Sequence, residues 1–360
     1  MQKQRWDIFC RIVDNYGDIG VCWRLARQLA HEYGLSVRLW VDDLAIARRL
    51  INGLDTQQAR QTVDGVEICH WQEFFDECEV AQVVIEAFAC ELPESYLAAM
   101  VKTKPIGLNL EYLSAEAWAV DAHSLASPHP TLPLTKHFFF PGFDPKSGGL
   151  IREQSLLEKR DAFLSSPQAQ SAFWKKLGLA NNPSLKISLF FYPHAPLQGL
   201  LQAIAGGTRP AVVFVPDSAV LGAIGNIESK GNLTLQALPF LSQDDYDCLL
   251  WACDINFVRG EDSWVRALWA GKPMIWQPYL QAEDAHLLKL KAFLDVYDCN
   301  EVLHACHLHW CDGSFSDADW QSLLSQIELL QEHALMQSAQ LASQPDLAAK
   351  LVIFCENLSK

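Results

Sequence analysis

Strand-like and helix-like segments alternate along this chain in two successive series, and this alternation limits the fold more than any other feature. The first series opens with a buried strand at Asp7–Val13 and an amphipathic helix at Gly20–Tyr33, which ends before Gly34. The second series opens with a strand at Lys186–Tyr192. Because strands that alternate with helices form parallel sheets covered by helices, the pattern predicts an α/β protein with two Rossmann-like domains facing a cleft.

Further strand-sized apolar segments follow in both series. They are Val37–Val41, Val66–Cys69, Gln82–Glu86, Pro105–Asn109 and His137–Phe140, and later Ala211–Val215, Leu233–Ala237, Ile255–Val258 and Met274–Trp276. Helical patterns cover Ser242–Cys253, Ser263–Ala270, Glu283–Leu294 and the sequence from Asp317 onward. We therefore expect one domain at 1–150, a helical linker at 151–183, a second domain at 184–330, and C-terminal helices at 331–360 that pack back on the first domain.

Composition excludes several classes of protein. Half of the 360 residues are hydrophobic and only 20% are charged, so the chain can bury large cores and is not disordered. No apolar run approaches the roughly 20 residues that a membrane-spanning helix needs, so we expect no membrane partner. The 28 basic residues against 43 acidic ones give a net charge of −15, which disfavours a nucleic-acid partner.

The cysteines indicate a reducing compartment. Their number is 11, and the first residues carry charges where a signal peptide would need an apolar core, so we expect a cytoplasmic protein with reduced thiols. One run places His304, Cys306, His307, His309 and Cys311 within eight positions. Zinc sites take their ligands from separated pairs, so we expect a polar loop or strand here rather than a metal centre.

The loop that follows the first strand contains two carboxylates. Asp14, Asn15, Tyr16, Gly17 and Asp18 precede the first helix, where a dinucleotide-binding protein has its glycine-rich turn. The full glycine pattern is missing, and each carboxylate near a diphosphate would cost roughly 4 kcal/mol. The loop is therefore a poor NAD site and argues against an oxidoreductase. A carboxylate pair for acid–base work and a purely structural Asx-turn with a helix cap both remain open.

The corresponding loop of the second half combines a cation with a helix start. Arg259, Gly260, Glu261, Asp262 and Ser263 follow a strand and open a helix. A helix N-terminus presents N–H groups and a positive dipole end, and the arginine adds a planar cation, so the loop suits a diphosphate. The alternative is that Glu261 and Asp262 only complement the helix dipole.

Aromatic residues lie close to this second loop in the sequence. Phe190, Phe191 and Tyr192 end the first strand of the domain, and Phe240 precedes Leu241 and Gln243. A nucleobase needs a stacking face and polar edges, which Phe240 and Gln243 can supply. Packing in the core at the strand end explains the same residues and is favoured on this evidence alone.

Two Asp-x-Asp pairs have the spacing of a metal-dependent sugar transferase. They are Asp245-Tyr-Asp247 and Asp317-Ala-Asp319. Both lie at predicted helix starts, and Ser242 stands three residues before Asp245, as in a capping box. We therefore expect helix capping and no catalytic metal.

These loops and three further motifs resemble those of one family. With Asp14–Gly20 and Arg259–Ser263, the segments Asn109–Glu116, Phe138–Phe143 and Gly148–Leu150 make the chain similar to the protein-arginine rhamnosyltransferases (EarP) that modify bacterial translation elongation factor P. The likeness covers nearly the whole chain. It implies a GT-B glycosyltransferase fold, inversion at the anomeric carbon and dTDP-β-L-rhamnose as donor, with no cofactor. It also implies elongation factor P as acceptor for the N-terminal domain, with the nucleotide sugar on the C-terminal domain.

The resemblance also assigns roles to residues. Asp18 is similar to the general base of the family, Asp14 to its partner, and Glu261 to a second catalytic carboxylate. The residues implied in donor binding are Asn15, Tyr16, Gly17, Phe190, Tyr192, Phe240, Leu241, Gln243, Arg259, Gly260, Asp262 and Ser263. Two rivals fit the loops without the family motifs: a GT-B enzyme with another nucleotide sugar and a small-molecule acceptor, and a non-enzymatic nucleotide-binding factor.

Overall fold

Two sheets, each built mainly of parallel strands, organise the chain in the computed structural model. The structure describes residues 4–13, 16–71, 80–179, 183–216 and 229–359. Unit 1 contains Met1–Gln154 and Gln344–Lys360, and unit 2 contains Ser155–Ser343. Within the described ranges, no helix is long and apolar enough to cross a membrane.

Unit 1 contains an eight-stranded sheet in the order β3-β4-β2-β1-β5-β6-β8-β7. The strands are β1 Arg5–Cys10, β2 Ser36–Val41, β3 Arg60–Val63, β4 Val66–His70, β5 Val83–Ala87, β6 Ile106–Leu110, β7 Ala126–Pro128 and β8 Thr135–Phe139. The helices described before residue 154 are α1 Gly17–Glu32, α2 Leu44–Leu50, α3 Glu94–Thr103 and α4 Ala117–Ala122. Only the edge strands β3 and β7 pair antiparallel. The six central strands are parallel, as the alternating pattern predicted.

Unit 2 has five parallel strands in the order β11-β10-β9-β12-β13. They are β9 Leu185–Leu189, β10 Ala211–Pro216, β11 Leu233–Leu238, β12 Ile255–Arg259 and β13 Met274–Gln277. The described helices are α5 Leu156–Ser165, α6 Pro167–Lys176, α7 Leu197–Gly206, α8 Gln243–Ala252, α9 Asp262–Ala270, α10 Ala285–Tyr297, α11 Glu301–Asp312, α12 Asp317–Ser325 and α13 Ile327–Ala342, with a short 3₁₀ turn at Ala282–Asp284.

Each sheet has a topological switch point. In unit 1 the chain leaves β1 toward β2 on one side and returns as β5 on the other, and in unit 2 it does the same around β9 and β12. Ligands of doubly wound sheets bind at the carboxyl ends of the strands at such a point. We therefore expect ligand-binding and catalytic residues in the loops after β1, β5, β9 and β12.

The last helix, α14 (Leu347–Leu358), belongs to unit 1. The Leu347 N–H donates to the Leu150 carbonyl over 2.9 Å, and Lys350 Nζ donates to the Ser147 carbonyl over 2.7 Å. The prediction that the C-terminal helix returns to the N-terminal domain is confirmed. The preceding helix α13 stays with unit 2, where Arg160 NH1 bonds both the Trp269 carbonyl and Ser338 Oγ.

Several predicted boundaries were wrong. β1 ends at Cys10, not at Val13, because its register partner Val41 is the last residue of β2, and side chains take over the hydrogen bonds beyond it. β9 likewise ends at Leu189, so the three aromatic residues after it lie in the loop. The short edge strands β3 and β7 carry too few apolar residues to show a pattern, and they were missed.

The His304–Cys311 run is helical, which corrects the prediction of a loop or strand. It forms most of α11, where Asn300 caps the first turn and Leu303, Cys306, His307 and Trp310 are buried at helical spacing. Histidine counts as polar in a sequence pattern, so the buried His307 made the helical periodicity of this segment unrecognisable from the sequence. The ten cysteines that the structure describes are free.

Candidate active site

Asp18 lies in the first turn of α1, at the carboxyl end of β1. It is 2% exposed, and the Val13 N–H donates a 2.8 Å hydrogen bond to Oδ2. Tyr112 donates from its hydroxyl to Oδ1 over 3.2 Å. The helix begins at Gly17, three residues before the predicted start, because the Gly20 N–H already bonds the Tyr16 carbonyl. Asp18 is therefore a helix residue whose side chain is held from two sides.

Tyr112 follows β6 and was not singled out from the sequence. Its ring stacks on Phe88, with 4.4 Å between centroids and 16° between planes. Phe88 and Ala89, directly after β5, both have left-handed backbone, with φ of 58° and 53°. Such conformations are costly for residues other than glycine and concentrate at functional sites. Nothing in the sequence marks them, since neither residue type favours positive φ.

The remaining residues predicted in this loop are only partly described. Asp14 and Asn15 lie outside the described residues. Tyr16 is the N-cap of α1, and the Cζ of Arg49 lies 5.5 Å from the centre of its ring. Gly17 is the first helical residue. The structure thus brings Asp18 and Tyr112 together, and we call these two residues the unit-1 site.

In unit 2, Arg259 contacts the loop that leaves β9. Its Cζ lies 4.8 Å from the centre of the Tyr192 ring, and NH1 donates a 3.1 Å hydrogen bond to the Phe191 carbonyl. Tyr192 is buried and Arg259 is half-buried. Tyr192 and Arg259 are 67 residues apart in the sequence, and they meet because β9 and β12 are neighbours in the sheet. Tyr192, Arg259 and Gly260 form what we call the unit-2 site.

Gly260 fixes the turn from β12 into α9. Its φ of 64° lies in the left-handed region, where a side chain would be strained. Its carbonyl accepts a 2.8 Å hydrogen bond from Trp276 Nε1, and Trp276 stacks on Trp264 with ring centres 3.6 Å apart. The turn that holds Arg259 is therefore anchored to β13 and to α9.

The three residues after Gly260 begin α9. Glu261 is its N-cap, and Asp262 and Ser263 are its first two residues; all three are half-buried. The helix N-terminus places positive potential beside Arg259, as the sequence predicted for an anion site. Glu261 and Asp262 complement the helix dipole in the same position, so the two interpretations of these acids coexist.

Aromatic and apolar residues line the neighbouring region. Phe190 contacts Tyr246 of α8 edge-to-face, with ring centres 4.6 Å apart. Phe240 is 37% exposed, while Leu241 and Gln243, at the start of α8, are buried. The end of β9 and the start of α8 therefore meet. Phe240, directly before this helix start, is the most exposed residue of the three.

Two residues next to the unit-2 site, Gln277 and His194, were not predicted from the sequence. Gln277, the last residue of β13, accepts a 2.8 Å hydrogen bond from the Tyr192 N–H, and its Nε2 lies 3.0 Å from His194 Nε2. Desolvation, and then the nearby His286, lower the pKa of His194. Neither residue belongs to a motif, and only the position of Gln277 at a strand end could have marked it.

The Asp-x-Asp pairs have structural partners. Ser242 caps α8 by accepting from the Asp245 N–H, and Lys176 Nζ lies 2.6 Å from Asp245 Oδ1. Asp247 forms a buried two-point ion pair with Arg266.

In the second Asp-x-Asp pair, Asp319 completes a capping box with Ser316. In the part of the chain that the structure describes, no three His, Cys, Asp or Glu side chains are grouped to hold a metal ion.

The two sites differ in the chemistry that they offer. The unit-1 site presents a fixed carboxylate and a tyrosine, which suit binding a cation and accepting a proton. The unit-2 site presents a guanidinium, a helix N-terminus and aromatic rings, which suit a nucleotide with its phosphates. The pair of sites therefore fits an enzyme that transfers a group from a nucleotide to a cationic acceptor.

Comparisons with known proteins agree with this chemistry. The chain is 47% identical to a protein-arginine rhamnosyltransferase of Pseudomonas putida, with 99% of each chain covered. It is 38% identical to the enzyme of that name from Shewanella oneidensis, with 97% of each covered.

Solved structures give the same relationship. A structure described as "Structural basis for EarP-mediated arginine glycosylation of translation elongation factor EF-P" matches with a TM-score of 0.68 and 37% identity, covering 99% of both chains. The spinosyn rhamnosyltransferase SpnG complexed with thymidine diphosphate matches with a TM-score of 0.53 and 12% identity, covering 97% of this chain and 99% of that one, and supports the fold alone. The fold is therefore that of the GT-B glycosyltransferases. The chain belongs to the Elongation-Factor P (EF-P) rhamnosyltransferase EarP family, whose model matches residues 6–356.

Proposed function

We propose that this chain transfers rhamnose from dTDP-β-L-rhamnose to an arginine side chain of translation elongation factor P in the cytoplasm, with inversion and without a metal. The observation that supports the chemistry best is the Asp18 carboxylate, held by the Val13 N–H and the Tyr112 hydroxyl at the switch point of unit 1. The relatives named protein-arginine rhamnosyltransferase support the choice of acceptor.

An arginine is a difficult nucleophile, and this sets the task of the unit-1 site. Its guanidinium delocalises the lone pair, and removing a proton in advance at pH 7 would cost about 9 kcal/mol. We therefore propose that Asp18 binds the guanidinium by a charge-assisted hydrogen bond and takes the proton only as the new bond forms. Positioning in a near-attack geometry supplies roughly 7–11 kcal/mol, which is comparable with that cost. Asp14, the other carboxylate of the same loop, is proposed as its partner.

The unit-2 site is proposed to hold the donor. Arg259 and the start of α9 face the diphosphate, and Tyr192 contacts a phosphate while it supports the arginine. Phe240, Leu241 and Gln243 are proposed to hold the thymine, with Phe190 behind them. Glu261 is proposed as the second catalytic carboxylate, and Asn15, Tyr16 and Gly17 as further donor contacts.

The reaction balances as a single displacement. A guanidinium nitrogen forms a bond to the anomeric carbon as the bond from that carbon to the dTDP oxygen breaks, and the nitrogen's proton passes to Asp18. Attack from the face opposite the leaving group inverts the anomeric configuration. The negative charge that develops on dTDP is met by Arg259 and the helix dipole, so no metal ion is required.

The test is a donor panel with unmodified elongation factor P as acceptor. We expect intact-mass and peptide analysis to find one deoxyhexosyl group on one arginine with dTDP-β-L-rhamnose, and no product with UDP-glucose or dTDP-glucose. Activity should persist with a chelator present, and the product should be the α-anomer by NMR. Transfer from another donor only, or no transfer to the acceptor protein, would overturn the proposal.

A further inference from the structure

Tyr112 is partly exposed at the unit-1 site, and its ring has no role in the reaction proposed above. The residue is 40% exposed, whereas Asp18, which accepts a hydrogen bond from the Tyr112 hydroxyl, is 2% exposed. Phe88 is stacked on one face of the ring at 4.4 Å, so a group that stacks on Tyr112 has to use the opposite face. An aromatic surface therefore lies directly beside a buried carboxylate.

The backbone on both sides of this pair is firmly anchored. The Phe88 N–H donates to the Leu110 carbonyl over 2.7 Å, and the Ala89 N–H donates to Asn109 Oδ1 over 3.1 Å. The Glu111 N–H donates to the Phe139 carbonyl over 2.9 Å, and the Glu111 side chain accepts from Asn109 Nδ2. The left-handed residues Phe88 and Ala89 are thus tied to the end of β6, two residues before Tyr112.

A planar cation suits this arrangement better than other groups do. The face of an aromatic ring carries negative potential and attracts a guanidinium, which stacks on it while its N–H groups reach an acceptor at the edge. Here the acceptor at the ring's edge is Asp18 Oδ1, already in contact with the phenol oxygen. A lysine ammonium gains less from such a surface, because it has no plane to stack.

We infer that Tyr112 binds the acceptor arginine through its ring and positions Asp18 through its hydroxyl. The inference rests on the proposed function, which it deepens by naming a residue that selects arginine. Stacking fixes the plane of the guanidinium, and the hydroxyl fixes the carboxylate that takes the proton. The two roles reside in different atoms of one side chain, so two substitutions separate them.

The experiment compares Tyr112→Phe and Tyr112→Leu by steady-state kinetics with elongation factor P and dTDP-β-L-rhamnose. Tyr112→Phe keeps the ring, so KM for the acceptor should stay within about twofold while kcat falls about tenfold, because Asp18 loses the hydrogen bond from the Tyr112 hydroxyl that helps to orient it. Tyr112→Leu removes the ring as well, and KM for the acceptor should rise at least about fivefold. The affinity for dTDP and the melting temperature should match the wild type in both variants.

Trp118→Leu is the matched control, because Trp118 is an aromatic residue of unit 1, 54% exposed, whose ring contacts Phe140. We expect its KM to remain within about twofold of the wild type. If Trp118→Leu raised KM as much as Tyr112→Leu, or if both Tyr112 variants kept wild-type kinetics, the inference would be wrong. A fall in activity that followed only a fall in melting temperature would also overturn it. If the wild type itself fails to modify the acceptor, the proposed function fails instead.

Discussion

The guanidinium of Arg259 lies over the ring of Tyr192, with Cζ 4.8 Å from the ring centre, while its NH1 donates to the neighbouring Phe191 carbonyl. Arg259 ends β12 and Tyr192 follows β9, so this contact joins the two strands of the switch point in unit 2. The ring of Tyr192 and the Phe191 carbonyl therefore orient the guanidinium of Arg259. A guanidinium that is already fixed loses little conformational entropy when it contacts a phosphate.

Replacing Arg259 by lysine should weaken dTDP binding by about tenfold or more, because an ammonium cannot keep the stacking contact and the hydrogen bond at the same time. Calorimetric titration with dTDP measures the change. Arg209→Lys, at an exposed position of the same unit, is the control and should leave the affinity unchanged. Equal affinities for Arg259→Lys and the wild type would contradict the assignment of this site.

The buried ion pair between Asp7 of β1 and Arg38 of β2 contributes to the stability of unit 1. Asp7 is fully buried and accepts hydrogen bonds of 2.6 Å from both Nε and NH2 of Arg38, and a further bond from the Tyr96 hydroxyl. Asp7→Asn leaves the arginine charge uncompensated, so the free energy of unfolding should fall by about 3–5 kcal/mol. Chemical denaturation measures this loss.

The control for Asp7 is the same substitution at Asp64, which pairs with Arg27 over 2.7 Å at the surface. Since exposed pairs contribute little, Asp64→Asn should change the free energy of unfolding by at most about 1 kcal/mol. Similar losses from both substitutions would show that burial of the Asp7 pair does not determine its contribution.

His307, the fully buried histidine of α11, makes stability depend on pH. Burial lowers the pKa of His307 to about 4; its Nδ1 lies 2.9 Å from the Leu303 carbonyl, and its buried Nε2 has no hydrogen-bond partner among the described residues. Between pH 6.5 and 4 the unfolded chain therefore binds a proton that the folded chain does not. The contribution of neutral, buried His307 to stability is fully present above pH 6.5 and is lost as the pH drops through this window, by up to about 3 kcal/mol.

Thermal unfolding at pH 7 and pH 5 tests the role of His307. His307→Leu removes the titrating group from a buried position, so its melting temperature should fall less between the two pH values than that of the wild type. The same slope in both proteins would contradict this role. His123, whose pKa is also lowered to about 4 by burial and then by Lys350, should add to the dependence in the same direction.

The sequence predicted the parallel sheets because strands buried on both faces read as continuous apolar runs, as in Ile8–Cys10 and Val83–Ile85. It missed β3 and β7, which lie at the edges and bury few side chains. It also misread α11, where a buried histidine interrupts the apolar period. Edge pairing and burial of polar groups depend on tertiary partners, and a local pattern does not contain them.

The candidate site was predictable only where residues cluster along the chain. Arg259 and Gly260 are adjacent in the sequence, at the end of β12, and the structure shows the hydrogen bonds and the left-handed turn that hold them. Tyr112 lies 94 residues from Asp18, and only the neighbouring positions of β1, β5 and β6 in the sheet bring the two together. Contacts at a switch point join distant segments, so the sequence names the loops but not the pairs that they form.

Asp18→Asn tests the proposed role of Asp18 as the base, because it keeps the shape of the side chain and removes its ability to take a proton. Intact-mass analysis of elongation factor P, with enzyme in excess and dTDP-β-L-rhamnose saturating, follows the transfer step. We predict that the rate falls by at least about 100-fold while dTDP affinity stays unchanged. Rhamnosylation at the wild-type rate by Asp18→Asn would contradict the proposal that Asp18 takes the proton.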